Sequence, residues 1–110
     1  MTTQTREDLM AEIKAEIASN KIMIYTKGTR EMPRCGFTQQ ICQFFDQVGK
    51  PYATADILEN PEKRQLLNEM CDWPTTPKVF IAGEFYGGND TVQEMAANGE
   101  LQPIIDAAFA

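Results

Sequence analysis

Apolar and polar positions along the chain follow two periods, and the switches between them mark its elements. From Thr5 to Ser19, Leu9, Ile13 and Ile17 recur four apart, the face of a helix capped by Thr5 and closed by Asn20. Ile22-Met23-Ile24-Tyr25 is a compact β-type run. A polar stretch follows, and then Ile41, Phe44, Phe45 and Val48 recur at i, i+3, i+4 and i+7, a second helix ending near Gly49. Lys50-Pro51 breaks the chain before a second strand, Tyr52 to Asp56. Asn60-Pro61 opens a third helix, through Arg64, Leu66, Leu67 and Met70 to about Asp72. The two prolines in Trp73-Pro74-Thr75-Thr76-Pro77 exclude helix there. Val79 to Ala82 reads as a strand, Gly83-Glu84 as a tight turn and Phe85-Tyr86 as the returning strand. Asp90 with Gln93 forms a capping box for a helix to Asn98, stopped by Gly99, and Leu101 to Phe109 is a last helix.

The order α-β-α-β-α-β-β-α-α carries a parallel crossover followed by an antiparallel hairpin. It predicts a mixed four-stranded sheet with helices on both faces, an α/β thioredoxin-like fold. A chain of 110 residues supports one core, so 1–110 is expected to be a single domain.

A net charge of −6 argues against nucleic-acid binding, which needs a basic face. No apolar run approaches the roughly 20 residues of a membrane span. The N-terminal stretch Met1 to Asp8 has neither the apolar core of a signal peptide nor the Arg-rich character of a transit peptide, which points to a cytoplasmic protein with reduced thiols. The three cysteines, Cys35, Cys42 and Cys71, do not make a disulfide framework. The chain has no histidine, so Cys-His proteases, Ser-His hydrolases and histidine-ligated metal sites are excluded together.

The remaining chemistry converges on Cys35, where the loop after the first strand turns into the second helix. The first N–H groups of a helix lack intrahelical partners and its dipole end is positive, so a thiolate is stabilised there. Lys27 and Arg34 act in the same direction, and Arg34 and Gly36 as neighbours argue against a merely buried structural cysteine. The reading is an activated thiolate, nucleophile or metal ligand. Cys42, seven residues on, lies about 10 Å along the helix at 1.5 Å per residue. That is beyond the roughly 7 Å Cα separation a disulfide tolerates, and Cys42 reads as core. Nothing in the sequence places Cys71 at Cys35.

Four motifs in order, Lys27-Gly28-Thr29 through Pro33-Arg34-Cys35-Gly36-Phe37-Thr38, Arg64, Trp73-Pro74-Thr75-Thr76-Pro77 and Gly87-Gly88-Asn89-Asp90, resemble the monothiol glutaredoxins of the Cys-Gly-Phe-Ser class over essentially the whole chain. The resemblance implies that Cys35 is the sole catalytic thiol, since Thr38 occupies the place of a resolving cysteine. It implies a glutathione site made by Lys27, Arg64, Phe37, Thr76, Pro77, Asn89 and Asp90. In that site Lys27 and Arg64 meet the glycyl carboxylate, Thr76 before a cis-proline pairs with the ligand backbone, and Asp90 meets the γ-glutamyl amine. Trp73 is read as a structural aromatic supporting the proline turn.

The resemblance further implies a [2Fe–2S] cluster shared by two subunits. A cluster of this type takes four thiolates, and two Cys35 thiolates plus two glutathione thiolates supply them. The implied role is a cluster carrier that passes its cargo to apo-proteins, with a homodimer, a BolA-type protein and iron–sulfur scaffold or acceptor proteins as partners. The alternative is an oxidoreductase acting on protein–glutathione mixed disulfides, with Cys35 attacking and glutathione resolving. The long Thr29–Arg34 loop resembles the cluster-binding members rather than the efficient oxidoreductases. Three residues depart from the class: Thr38 for serine, Thr76 for an apolar or aromatic residue, and Asn89 for the cysteine of Gly-Gly-Cys-Asp. They put cluster stability in question more than glutathione binding.

Overall fold

The computed structural model describes residues 4–110; the part of the N-terminal reading that falls on Met1, Thr2 and Thr3 lies outside the described residues. The hydrophobic run Ile22–Thr26 forms β1, a strand buried along its whole length. It pairs in parallel with β2 (Ala53–Asp56) and antiparallel with β3 (Lys78–Ile81), which pairs in turn with β4 (Glu84–Phe85). The sheet order is therefore β2-β1-β3-β4, the mixed four-stranded sheet that the element order predicts.

Because successive strand residues point to opposite faces, β1 and β3 each feed two cores. Ile22, Ile24, Val79 and Ile81 pack under α2 (Gly36–Val48), α4 (Asn89–Ala97) and α5 (Leu101–Ala108), through Ile41, Phe45, Val92, Leu101 and Ile105. Met23, Tyr25 and Phe80 pack on the other face under α1 (Arg6–Ser19) and α3 (Pro61–Cys71), through Leu9, Ile13, Leu66 and Leu67. Lys78 is on that second face, buried beside Tyr25, its partner across the ladder.

The helix ends follow local chemistry. Thr5 and Asp8 exchange hydrogen bonds in a full capping box for α1, and the Asn20 amide donates to the Glu16 carbonyl at 2.9 Å as α1 ends. Asn60 caps α3 through the Lys63 N–H, with Pro61 in its first turn.

Three expectations are corrected. The β3–β4 turn is Ala82-Gly83, both at positive φ, one residue earlier than Gly83-Glu84; Glu84 opens β4 and Tyr86 falls outside it. The Asp90–Gln93 capping box does not form. Gly88 takes the cap position, α4 starts at Asn89, and Gln93 donates to Asn89 Oδ1 instead. A 3-10 turn over Ile57–Glu59, capped by Asp56, follows β2 where the pattern gave no element.

Candidate functional site

Cys35 is the residue on which α2 begins. Its backbone is extended at φ −151° and ψ 139°, its carbonyl accepts from the Gln39 N–H, and its side chain makes no capping bond. The thiol is half-buried, and Phe37, two residues on, is 51% exposed.

The preceding loop is knotted by its own backbone. The Arg34 N–H donates to the Lys27 carbonyl at 2.8 Å and the Thr29 N–H to the Met32 carbonyl at 3.1 Å. The Met32 N–H returns to Thr29 Oγ1 at 2.9 Å. Gly28 turns at φ +86°, and a Cβ there would lie 2.5 Å from the Met32 carbonyl oxygen, so only glycine fits. Its N–H is held by Asp56 Oδ1 at 2.9 Å. Thr38, fully buried, accepts the Lys27 N–H on its hydroxyl at 3.1 Å and so fastens the loop to the first turn of α2. Outside, Arg30 reaches Asp46 Oδ1 at 2.6 Å and lies over the Tyr52 ring, while the Tyr52 hydroxyl donates to the same carboxylate oxygen at 2.7 Å. Burial and that bond push the Tyr52 hydroxyl well above the ordinary phenol range.

Beside the start of α2 opens a cleft of about 140 Å³ lined by Phe37, Trp73, Thr75, Thr76, Pro77, Gly88, Asn89, Asp90 and Thr91. Five sequence-identified residues, Phe37, Thr76, Pro77, Asn89 and Asp90, thus meet on one surface. The Thr76–Pro77 bond is cis. Asn89 is 5% exposed, and its amide donates to Gln40 Oε1 at 2.8 Å, bridging α4 to α2. Asp90 is exposed in the first turn of α4. Lys27 and Arg64, half-buried, lie outside that lining, and both repel the ammonium of Lys78.

The lining also holds residues that the sequence reading passed over or gave another part. Trp73 does what a structural aromatic does, meeting Phe85 edge-on at 5.8 Å between centroids, and it also walls the cleft. Among the described residues its buried Nε1–H finds no partner. A Cβ at Gly88 would sit 3.2 Å from the Pro77 carbonyl oxygen and 3.5 Å from Trp73 Nε1, so the bare backbone lets both close in. Thr75 stands inside the Trp73–Pro77 motif without a role of its own in it, and Thr91 lies outside all four motifs. Lys78 is the larger omission: its Nζ donates to Asn68 Oδ1 at 2.6 Å and to the Thr75 carbonyl at 2.7 Å, bracing the wall from behind.

The other thiols stand apart. Cys42 is in the core under α2 and Cys71 packs against the opposite face of the sheet; burial pushes both thiols up, toward the unreactive neutral form. All three cysteines are free. Among the described residues no three His, Cys, Asp or Glu side chains gather as a metal cage. A thiolate-ligated metal group at Cys35 therefore needs ligands from outside the chain.

A family model described as Glutaredoxin matches residues 22–86. The chain is 42% identical over 100 residues to an uncharacterized monothiol glutaredoxin, ycf64-like, of Synechocystis sp., covering 91% of this chain and 94% of that one. It is 43% identical over 99 residues to glutaredoxin 4 of Escherichia coli, covering 90% and 86%. Among solved structures it is similar to a buckwheat glutaredoxin–glutathione complex, with a TM-score of 0.83, 26% identity, and 97% and 98% of the two chains covered.

Proposed function

The chain belongs to the glutaredoxin family, and from that premise we propose that it is a monothiol carrier that holds a glutathione-ligated [2Fe–2S] cluster at a dimer interface and passes it to apo-proteins. The observation that carries this reading is the arrangement of one half-exposed thiol at the start of α2, beside a cleft walled by Phe37, Thr76, Pro77 and Asp90. The buckwheat relative's complex with glutathione supports the same ligand in this cleft.

In this reading Lys27 and Arg64 attract the glycyl carboxylate, the Thr76–Pro77 edge lies along the peptide, and Asp90 receives the γ-glutamyl ammonium. Asn89, engaged with Gln40, shapes the glutamyl end rather than reaching into it. The glutathione thiol then lies beside Cys35. The cluster is cargo, and each chain contributes one thiolate to it. The remaining thiolates come from glutathione and from the second copy, which makes the dimer a product of cluster binding. Met32, 61% exposed, and Phe37 flank the thiol and are the apolar surface such a second copy or a BolA-type or acceptor partner covers.

Glutathione-dependent reduction of mixed disulfides is the second reading. The half-exposed Cys35, whose side chain makes no capping bond, favours it, because the same thiolate is then free to attack sulfur.

Anaerobic reconstitution with iron, sulfide and glutathione separates the two. A dimer with a chiral visible signal that requires both Cys35 and glutathione is the expected result. No cluster, together with brisk turnover of a glutathionylated substrate, overturns the carrier reading in favour of the oxidoreductase.

A further inference from the structure

Lys78 is an ammonium inside the protein. It is 1% exposed, on the α1/α3 face of β3, and among the described residues no carboxylate pairs with it. Its two acceptors, the Asn68 amide oxygen and the Thr75 carbonyl, are neutral. The charged and titratable groups that face it do not compensate it. Arg64, from α3, and Lys27, from the loop after β1, repel it, and Tyr25, across the ladder on β1, is held neutral by burial. Cys71, also from α3, favours the ammonium only as a thiolate, and burial keeps that thiol protonated. A buried cation without a counter-charge is costly. Two further cations act against it in a chain whose net charge is −6.

We propose that Lys78 is a positioning residue of the glutathione site: its buried ammonium supplies, behind Lys27 and Arg64, a third positive charge for the anionic ligand, and its bond to the Thr75 carbonyl sets the Thr75–Pro77 wall. The inference rests on the glutathione reading of the cleft. Its burial keeps Lys78 from touching the ligand, so it acts through its field and through Thr75, which lines the cleft. The ligand carboxylate is the counter-charge that the fold omits. Burial, and after it repulsion by Arg64 and Lys27, lowers the lysine to about 8, so the third charge is present at neutral pH and withdrawn just above it.

The test is calorimetric binding of S-methylglutathione to the full chain carrying Cys35→Ser, which removes both exchanging thiols. It is run from about pH 6 to about pH 9, below the ordinary titration of an exposed lysine. The ligand's own ammonium is common to every variant and cancels in the comparison. Lys78→Gln keeps a donor for Thr75 but has no charge, so binding weakens on the order of fivefold at neutral pH, and the remaining pH dependence loses its step near 8. Lys78→Arg keeps the charge throughout and holds its affinity above pH 8, where the parent weakens. A Lys78→Gln profile that superimposes on the parent's overturns the proposal. Should that variant fail to fold, by circular dichroism, the parent and Lys78→Arg decide: divergence above pH 8 supports the proposal and parallel profiles overturn it. Absence of all binding by the parent overturns the glutathione reading together with this inference, whereas parent binding indifferent to residue 78 removes the inference alone.

Discussion

Thr38 shows how one hydroxyl serves the site without touching a ligand. Its Oγ1 accepts the Lys27 N–H from a fully buried position, and so fixes the start of the loop against the helix that Cys35 begins. The methyl by which it differs from the serine of the Cys-Gly-Phe-Ser class is buried with it. Thr38→Val keeps the shape and removes the acceptor, leaving the Lys27 N–H without its partner. The expected cost is about 1–3 kcal/mol in denaturant unfolding, accompanied by faster amide exchange at Lys27. Thr38→Ser keeps the acceptor and loses only a methyl, about 1 kcal/mol. If both variants unfold at the same denaturant concentration, the hydroxyl does not hold the loop. Thr38 was legible as the residue in place of a second thiol. Its bond to a backbone eleven positions earlier was not, since nothing in local periodicity reports a contact between a loop and a helix.

At the scale of elements, each α-helix and strand was placed to within two residues, the 3-10 turn after β2 went unread, and the misplacements came from turns and caps. The β3–β4 turn moved one residue because Ala82, read from the sequence as the end of the strand, takes φ +51° and joins the turn. The helix after Gly87-Gly88 began two residues early, with Gly88 rather than Asp90 at its cap, because Asn89 found Gln40 on α2, a tertiary partner that overrode the local capping pattern. The docking of α1 was equally hidden. Leu9 and Ile13 marked its buried face, but its lock is polar: Lys63 Nζ on α3 meets Glu16 at 3.0 Å and Glu12 at 3.3 Å, and the Tyr25 hydroxyl donates to Glu16 Oε1 at 2.9 Å. Lys63→Met leaves Glu16 with Tyr25 alone. Because both carboxylates keep some access to water, the expected loss is about 1–2 kcal/mol rather than that of a fully buried pair. Thermal unfolding checks it, and S-methylglutathione affinity should stay unchanged, since the lock lies between α1 and α3 and not in the cleft wall. A matching loss of affinity refutes that separation.

Across the whole molecule, the sheet architecture was readable in advance from the order of the elements, whereas the meeting of Phe37, Thr76, Pro77, Asn89 and Asp90 on one surface was only what the family resemblance implied. Lys78 was legible by neither route, because a lysine opening an apolar strand looks like a solvated strand end until the fold closes over it. Its consequence for stability runs against its consequence for binding. With its pKa lowered to about 8 in the folded chain from the 10.5 of a free lysine, the unfolded state binds the proton more tightly between those values. Stability contributed by this group therefore rises with pH across that window, and below about 8 the full penalty of the buried charge applies. Tyr25, Tyr52, Cys42 and Cys71 oppose this in the alkaline range, because each is raised by burial and keeps its proton in the fold after the unfolded chain has lost it. Comparison with Lys78→Met isolates the lysine together with its pull on Cys71, since Tyr25, Tyr52 and Cys42 are common to both chains. Relative to Lys78→Met, the parent gains unfolding free energy as pH rises from about 8 toward 10.5; a constant difference shows that the ammonium is not penalised by burial. If the parent gains stability over the same rise in pH that weakens its hold on S-methylglutathione, one proton on one buried lysine accounts for both. The fold then tolerates that charge because the ligand answers it.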